Sequence, residues 1–172
     1  MKLDIVLYPD PILTKTCAPV PEVTEEIRRL AADMLETMYA APGVGLAAPQ
    51  VGRLIQLVVY DPAEKDAPRA PQVLINPVVT KTGKDIVSNQ EGCLSVPMDY
   101  RANVVRSSSV HLKYMNLLGE TLERDIEGFE AIIVQHETDH LTGTLFIDKI
   151  GRLRRSLYDT KVKKWLKTRK EQ

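Results

Sequence analysis

The segment Gln135-His136-Glu137-Thr138-Asp139-His140 constrains the fold more than any other stretch of this chain. In a helix, residues four apart lie about 6 Å apart along the axis and point nearly the same way. His136 and His140 can therefore grip one metal ion if this stretch is helical, with Glu137 placed to serve a water bound there. The same spacing also fits two histidines on a helix surface. Two features favour the metal reading. The chain has 3 histidines and two of them make this pair, and the pair falls on an apolar face. The spacing predicts a helix over Glu123–Leu141 in which Phe129, Ile132, Ile133, His136 and His140 share that face, with Gly143 as a stop signal just beyond. Imidazoles on a buried face need something to bind, because burial of a polar group without a partner is costly.

The third ligand has to come from elsewhere, since no further His or Glu follows at metalloprotease spacing and Glu137 is reserved for proton transfer. Cys93, in Gln90-Glu91-Gly92-Cys93-Leu94-Ser95, is the leading candidate. It follows Gly92, whose missing side chain lets backbone and ligand approach closely. Cys17, beside prolines near the N-terminus, reads instead as a free buried thiol. One Cys, two His and a water form a four-coordinate site with one position open, the plan of a catalytic centre. Gln50, after Gly43-Val44-Gly45, offers an amide that can donate to a carbonyl oxygen turning negative during attack.

Elsewhere the pattern predicts an N-terminal arm over residues 1–21, punctuated by Pro9, Pro11, Pro19 and Pro21. A helix follows, because Val23, Ile27, Leu30, Met34 and Met38 recur at helical spacing. Thr24 caps it, Glu25 and Glu26 suit its positive end, and Ala41-Pro42 ends it. Arg53–Tyr60 and Val73–Val79 read as strands, the second with Pro77 marking an edge or a bulge, and residues 61–71 as the surface hairpin connection between them. Val104–Tyr114 reads as a strand leading through the turn Asn116–Gly119 into another. From Arg152 onward the chain is a basic helix with Leu153, Leu157, Val162, Trp165 and Leu166 available for docking. The expected architecture is one α+β domain over 1–172. Short antiparallel β-sheets pack around a central metal-binding helix, flanked by the N-terminal helix and a basic C-terminal segment at 149–172.

Composition narrows the class. With 172 residues, 44% hydrophobic and 27% charged, the chain reads as an ordinary soluble globular protein, which sets aside collagen-like, disordered and disulfide-scaffold classes. No run approaches the roughly 18 apolar residues of a membrane span. The first residues lack the look of a signal or transit peptide, so a cytoplasmic protein is expected. The net charge of zero hides an asymmetry: from Lys149 on, ten Lys/Arg stand against Asp159 and Glu171. That segment could meet a polyanion end-on.

Three elements together, GVGLAAPQ at 43–50, EGCLS at 91–95 and QHETDH at 135–140, resemble in order and spacing the three signature motifs of the bacterial peptide deformylase family. The resemblance covers the whole chain. It implies a metallohydrolase acting on a linear amide, which removes the N-formyl group from formyl-methionyl nascent peptides. On the matching positions, Cys93, His136 and His140 would hold the metal, Glu137 would be the general acid/base, and Gln50 with the backbone N–H of Leu94 would bind the formyl oxygen. Val44, Gly45, Phe129, Ile132 and Ile133 would form the methionine pocket. The backbones of Val44, Gly45 and Gly92 would pair with the peptide like an added strand. Arg106, Asp139 and Glu91 would support the metal site, and Tyr100 or Arg101 would border the outer groove.

The donor set by itself suits Zn²⁺, whereas the resemblance implies Fe²⁺ as the native ion, with Ni²⁺ or Co²⁺ able to replace it and Zn²⁺ a poorly active contaminant. The resemblance also implies docking of the basic C-terminal helix on the ribosome near the exit tunnel, with no membrane or DNA partner. On this reading, truncation after Leu157 weakens ribosome binding and spares turnover of short peptides. Two other readings stay open at this point: a metallopeptidase cutting ordinary peptide bonds, and a catalytically silent RNA-binding module with a structural metal.

Overall fold

The first helix, α1 (Glu25–Ala40), forms where the sequence places its cap and its apolar stripe. Thr24 Oγ1 accepts from the Ile27 N–H at 3.3 Å, and Ile27, Leu30, Ala31, Met34 and Met38 are buried. This is a computed structural model, and it describes residues 1–172. The strands are β1 (Gly45–Ala47), β2 (Leu57–Tyr60), β3 (Gln72–Lys81), β4 (Asp85–Glu91), β5 (Ala102–Ser107), β6 (Ser109–Met115) and β7 (Thr121–Glu127). Two further helices are α2 (Gly128–Asp139) and α3 (Arg152–Lys170). The sheets and the three helices give the expected α+β class.

A five-stranded antiparallel sheet runs β1-β2-β3-β6-β7, and β4 pairs with β5 in a separate two-stranded sheet. Strand β2 shows why its sequence is a continuous apolar run: it is covered on both faces. Leu57 and Val59 pack with α1, while Val58 and Tyr60 pack with Ala131, Ile133 and Val134 of α2. Helix α2 touches β1, β2, β3, β5, β6 and β7, so the predicted central helix is central. The register of β3 shifts between Ile75 and Val78, around Pro77, as the proline signals. Within that bulge Asn76 has a left-handed backbone, and its amide pairs with both polar groups of Val20, tying the N-terminal arm to the sheet. Residues 61–71 do connect β2 to β3. The Asp61 carboxylate closes that loop by accepting from Ala63 and Ala70 N–H and from the Tyr39 hydroxyl.

Some expectations need correction, and one strand was not foreseen. The helix predicted over Glu123–Leu141 starts at Gly128: Thr121–Glu127 is strand β7, in register with β6 from Met115↔Thr121 to Ser109↔Glu127. Gly128, with φ +68°, supplies the left-handed turn that converts strand into helix. The strand predicted over Val104–Tyr114 breaks at Ser108, with β5 in one sheet and β6 in the other. Strand β4 went unforeseen because it buries only Ser88 and Glu91 and carries no apolar alternation. Helix α3 docks through Tyr158 and Val162, with Leu166 partly buried beside them, whereas Leu153 and Leu157 are exposed. Tyr158, Val162 and Leu166 lie four apart on one face, and the two leucines fall off it. Because Tyr158 and Val162 belong to a core cluster with Leu13, Val104 and Phe146, a cut after Leu157 would remove core and not merely a docking tail. No helix is long and apolar enough to cross a membrane.

Candidate metal centre

Helix α2 carries His136 and is capped at its C-terminal end by His140, and β4 leads into the third donor. Ile133 and Val134 anchor α2 in the core, which turns His136, Glu137 and His140 toward the chain that follows Glu91. Cys93 Sγ stands 3.5 Å from His140 Nε2, and one ligand atom each of Cys93, His136 and His140 lies within 4.8 Å of the others. His140 is 1% exposed and His136 9%.

A buried charge network orients this cluster. Glu91 Oε1 is 2.9 Å from His136 Nδ1, which leaves His136 Nε2 for the centre. Arg106 grips Glu91 through Nε at 3.0 Å and Nη2 at 2.8 Å, and reaches Asp139 Oδ2 with Nη1 at 2.6 Å. Burial works against a charged Glu91, yet the hydrogen bonds from Arg106 and His136 bring its carboxyl down to about 2. The three supporting residues named from the sequence thus act as one assembly.

Glu137 occupies the opposite side. Its Oε1 is 3.9 Å from His136 Nε2 and its Oε2 4.0 Å from His140 Nε2. Burial pushes its carboxyl up to about 7, against the pull of His136 and Arg106. Gly45 makes room for it: a Cβ there would fall 2.5 Å from Glu137 Oε1.

The donors fit a divalent cation. A thiol and two imidazoles converge, Glu137 Oε2 and His140 Nδ1 are buried with no hydrogen-bond partner, and burial holds His140 neutral, its ligating form. Burial would also lower His136, yet Cys93, Glu91 and Glu137 raise it well above its ordinary value.

Beside the cluster, Gln50 is 1% exposed. Its Oε1 accepts from Ala47 N–H at 2.9 Å, and its Nε2 donates to Ser95 Oγ at 3.0 Å and faces Cys93 Sγ at 3.4 Å. The Leu94 N–H takes no part in the backbone hydrogen bonding of turns and loops. A cavity of about 550 Å³ opens onto these groups. Eleven of the twelve site residues named from the sequence line it, while His140 sits behind them. Val44 and Phe129 stand exposed on its rim, Ile133 is buried, and Asp99, Tyr100 and Arg101 add a wall.

Two residues went unread in the sequence. Ser95 is fully buried against Gln50, and Gln135 clamps α2 to the end of β5 by pairing with Ser107 N–H and C=O, each at 2.9 Å. Neither has a periodic signal; only the adjacency of Gln135 to His136 and of Ser95 to the Cys93 segment pointed there.

Residues 2–156 match the family model for polypeptide deformylase. The peptide deformylase of Acinetobacter baumannii is 48% identical over 171 residues, covering 99% of this chain and 95% of that protein. That of Caulobacter vibrioides is 49% identical over 152 residues, covering 88% and 87%. Among solved structures, a peptide deformylase from Legionella pneumophila superposes with a TM-score of 0.88 at 35% identity, covering 100% of this chain and 99% of that one. The Ehrlichia chaffeensis peptide deformylase in complex with actinonin gives 0.87 at 35% identity, covering 95% and 96%.

Proposed function

The chain belongs to the polypeptide deformylase family, and on that premise we propose how its residues divide the work. It is a metal-dependent hydrolase that removes the N-formyl group from the formylmethionine of nascent polypeptides and releases formate. The observation that supports the division best is the convergence of Cys93, His136 and His140 beside a Glu137 carboxylate with an unused oxygen.

Cys93, His136 and His140 hold one divalent ion. When bound, the ion supplies a water acidified to a pKa of roughly 7 and Lewis acidity toward the formyl oxygen. Glu137 takes the proton released as water attacks the formyl carbon, then delivers it to the departing amine nitrogen. Gln50 Nε2 and the Leu94 N–H receive the negative oxygen, each contributing about 3 kcal/mol. Strand β1 is a sheet edge, so Gly45 can pair with an extended peptide, with Gly92 across the cavity, whereas the Val44 carbonyl already accepts from the Asp61 N–H at 2.9 Å and leaves only its N–H for that pairing. The methionine side chain lies among Phe129, Ile132 and Ile133. In this reading the site takes a formyl hydrogen and excludes the methyl of an acetyl group by size.

Fe²⁺ is the native ion in this reading, with Zn²⁺, Ni²⁺ or Co²⁺ as substitutes. The whole chain, 1–172, acts as one cytoplasmic catalytic domain. The exposed lysines of α3 dock on the ribosome near the exit tunnel, a contact that weakens as salt rises.

The test is formate release from formyl-Met-Ala-Ser under anaerobic conditions, with acetyl-Met-Ala-Ser and Met-Ala-Ser as controls. Release from the formyl peptide alone, faster with iron than with zinc, supports the reading. Cleavage of Met-Ala-Ser instead makes the protein a peptidase, and no hydrolysis in any metal form leaves a structural metal site.

A further inference from the structure

Aromatic side chains form a stacked column from α3 to the metal centre. The Tyr158 ring lies 4.2 Å from that of Tyr100, with 28° between planes. Tyr100 lies 6.3 Å from Phe146, and Phe146 lies 6.1 Å from His136. Tyr158 is 1% exposed, and its hydroxyl donates to the Pro97 carbonyl at 2.9 Å. One side chain of α3 therefore grips both ends of the segment 97–100, the carbonyl of its first residue and the ring of its last.

That segment needs a grip. Met98 and Asp99 have φ of +67° and +47°, two successive non-glycine residues in left-handed backbone, which persists only where the surroundings enforce it. The segment is also functional wall: Asp99, Tyr100 and Arg101 line the cavity, and Arg101 is bonded to Asp99 at 3.1 Å. Arg101 lies so near Gly92 that a Cβ there would meet the guanidinium carbon at 3.3 Å. Gly92 is where the substrate backbone pairs in the reading above, so this wall faces the peptide and not the formyl group.

We propose that Tyr158 is a positioning residue for peptide binding. Helix α3 sets the wall at 97–101 through it, and thereby the affinity for the residues that follow formylmethionine, while the chemistry at the metal is left alone. The proposal rests on the deformylase reading. It makes α3 part of the substrate site as well as a basic outer surface.

The experiment compares the metal-loaded full chain with Tyr158→Phe, which removes one hydroxyl, and Tyr158→Leu, which also removes the stacking. Formate release is measured from formyl-Met-Ala-Ser and from formylmethionine amide, with rates normalised to bound metal. Tyr158→Phe raises KM for the tripeptide about fivefold with kcat within about twofold, and leaves kcat/KM for the amide unchanged. Tyr158→Leu extends the same pattern; if it fails to fold, Tyr158→Phe alone decides. Equal losses on both substrates, a fall in kcat at constant KM, or unchanged kinetics overturns the assignment. A wild-type chain that releases no formate overturns the deformylase reading and the assignment together, an outcome distinct from active wild type with unaltered variants.

Discussion

Ser95 Oγ accepts a hydrogen bond from Gln50 Nε2 at 3.0 Å, and Ser95 is wholly buried. The Ala47 N–H on Gln50 Oε1 fixes which end of the amide is oxygen, so the other amide hydrogen faces Cys93. The N-terminal arm braces both partners: Val6 N–H donates to the Gln50 carbonyl and Tyr8 N–H to the Ser95 carbonyl, each at 2.7 Å.

Replacing Ser95 by Ala removes the acceptor that holds this amide. The expected result is a kcat lowered by about 10²-fold with one metal per chain retained, read by steady-state kinetics and metal analysis. Unchanged kcat would show that Gln50 is held without Ser95.

Gly45→Ala drives a methyl into Glu137, whose Oε1, Cδ and Cγ all lie within 2.7 Å of the built Cβ. The carboxylate must move, and formate release is expected to fall by about 10²-fold or more with one metal per chain retained. Full activity would place Glu137 elsewhere during turnover.

Arg106 is 3% exposed and is bonded to Glu91 and Asp139. Its replacement by Met leaves Glu91 buried against His136 without its countercharge, a loss of about 3–5 kcal/mol in urea unfolding of the metal-loaded protein. A loss below about 1 kcal/mol would mean that the network is dispensable to the fold.

Away from the site, His111 on β6 faces Asp125 at 2.8 Å and Glu123 at 3.3 Å on β7. The Asp125 and Glu123 hydrogen bonds raise its imidazole above 6.5. A folded-state value above the unfolded one means that stability from this charge is fully present below pH 6.5 and is lost as pH rises through the folded value. Its NMR titration midpoint should lie above 6.5 and move back toward it in Asp125→Asn. A midpoint at or below 6.5 would refute the pairing in solution.

The site was legible where chemistry and local period coincide. His136 and His140 share a helical face whatever surrounds them, and Thr24 caps α1 within its own turn. What depends on distant partners was not. Phe129, Ile132, Ile133, His136 and His140 share a helical face, which predicts a helix from Glu123 on, and only the left-handed Gly128 marks where the strand ending at Glu127 gives way to it. Strand β4 is polar because its neighbours bury only Ser88 and Glu91. The face that α3 docks is decided by Tyr158 finding Tyr100 and Pro97, about sixty residues away in sequence, because within the helix the four-residue spacing of Tyr158, Val162 and Leu166 competes with that of Leu153 and Leu157.

The central claim is that Glu137 moves the proton while Cys93, His136 and His140 only hold the ion, and Glu137→Gln tests it most directly. Metal content and formate release from formyl-Met-Ala-Ser are measured on the same iron-loaded sample. The account predicts one metal per chain, as in the unaltered protein, with kcat lower by about 10²–10⁴-fold at every pH. Release at the unaltered rate with metal bound would contradict it and assign the proton to another group.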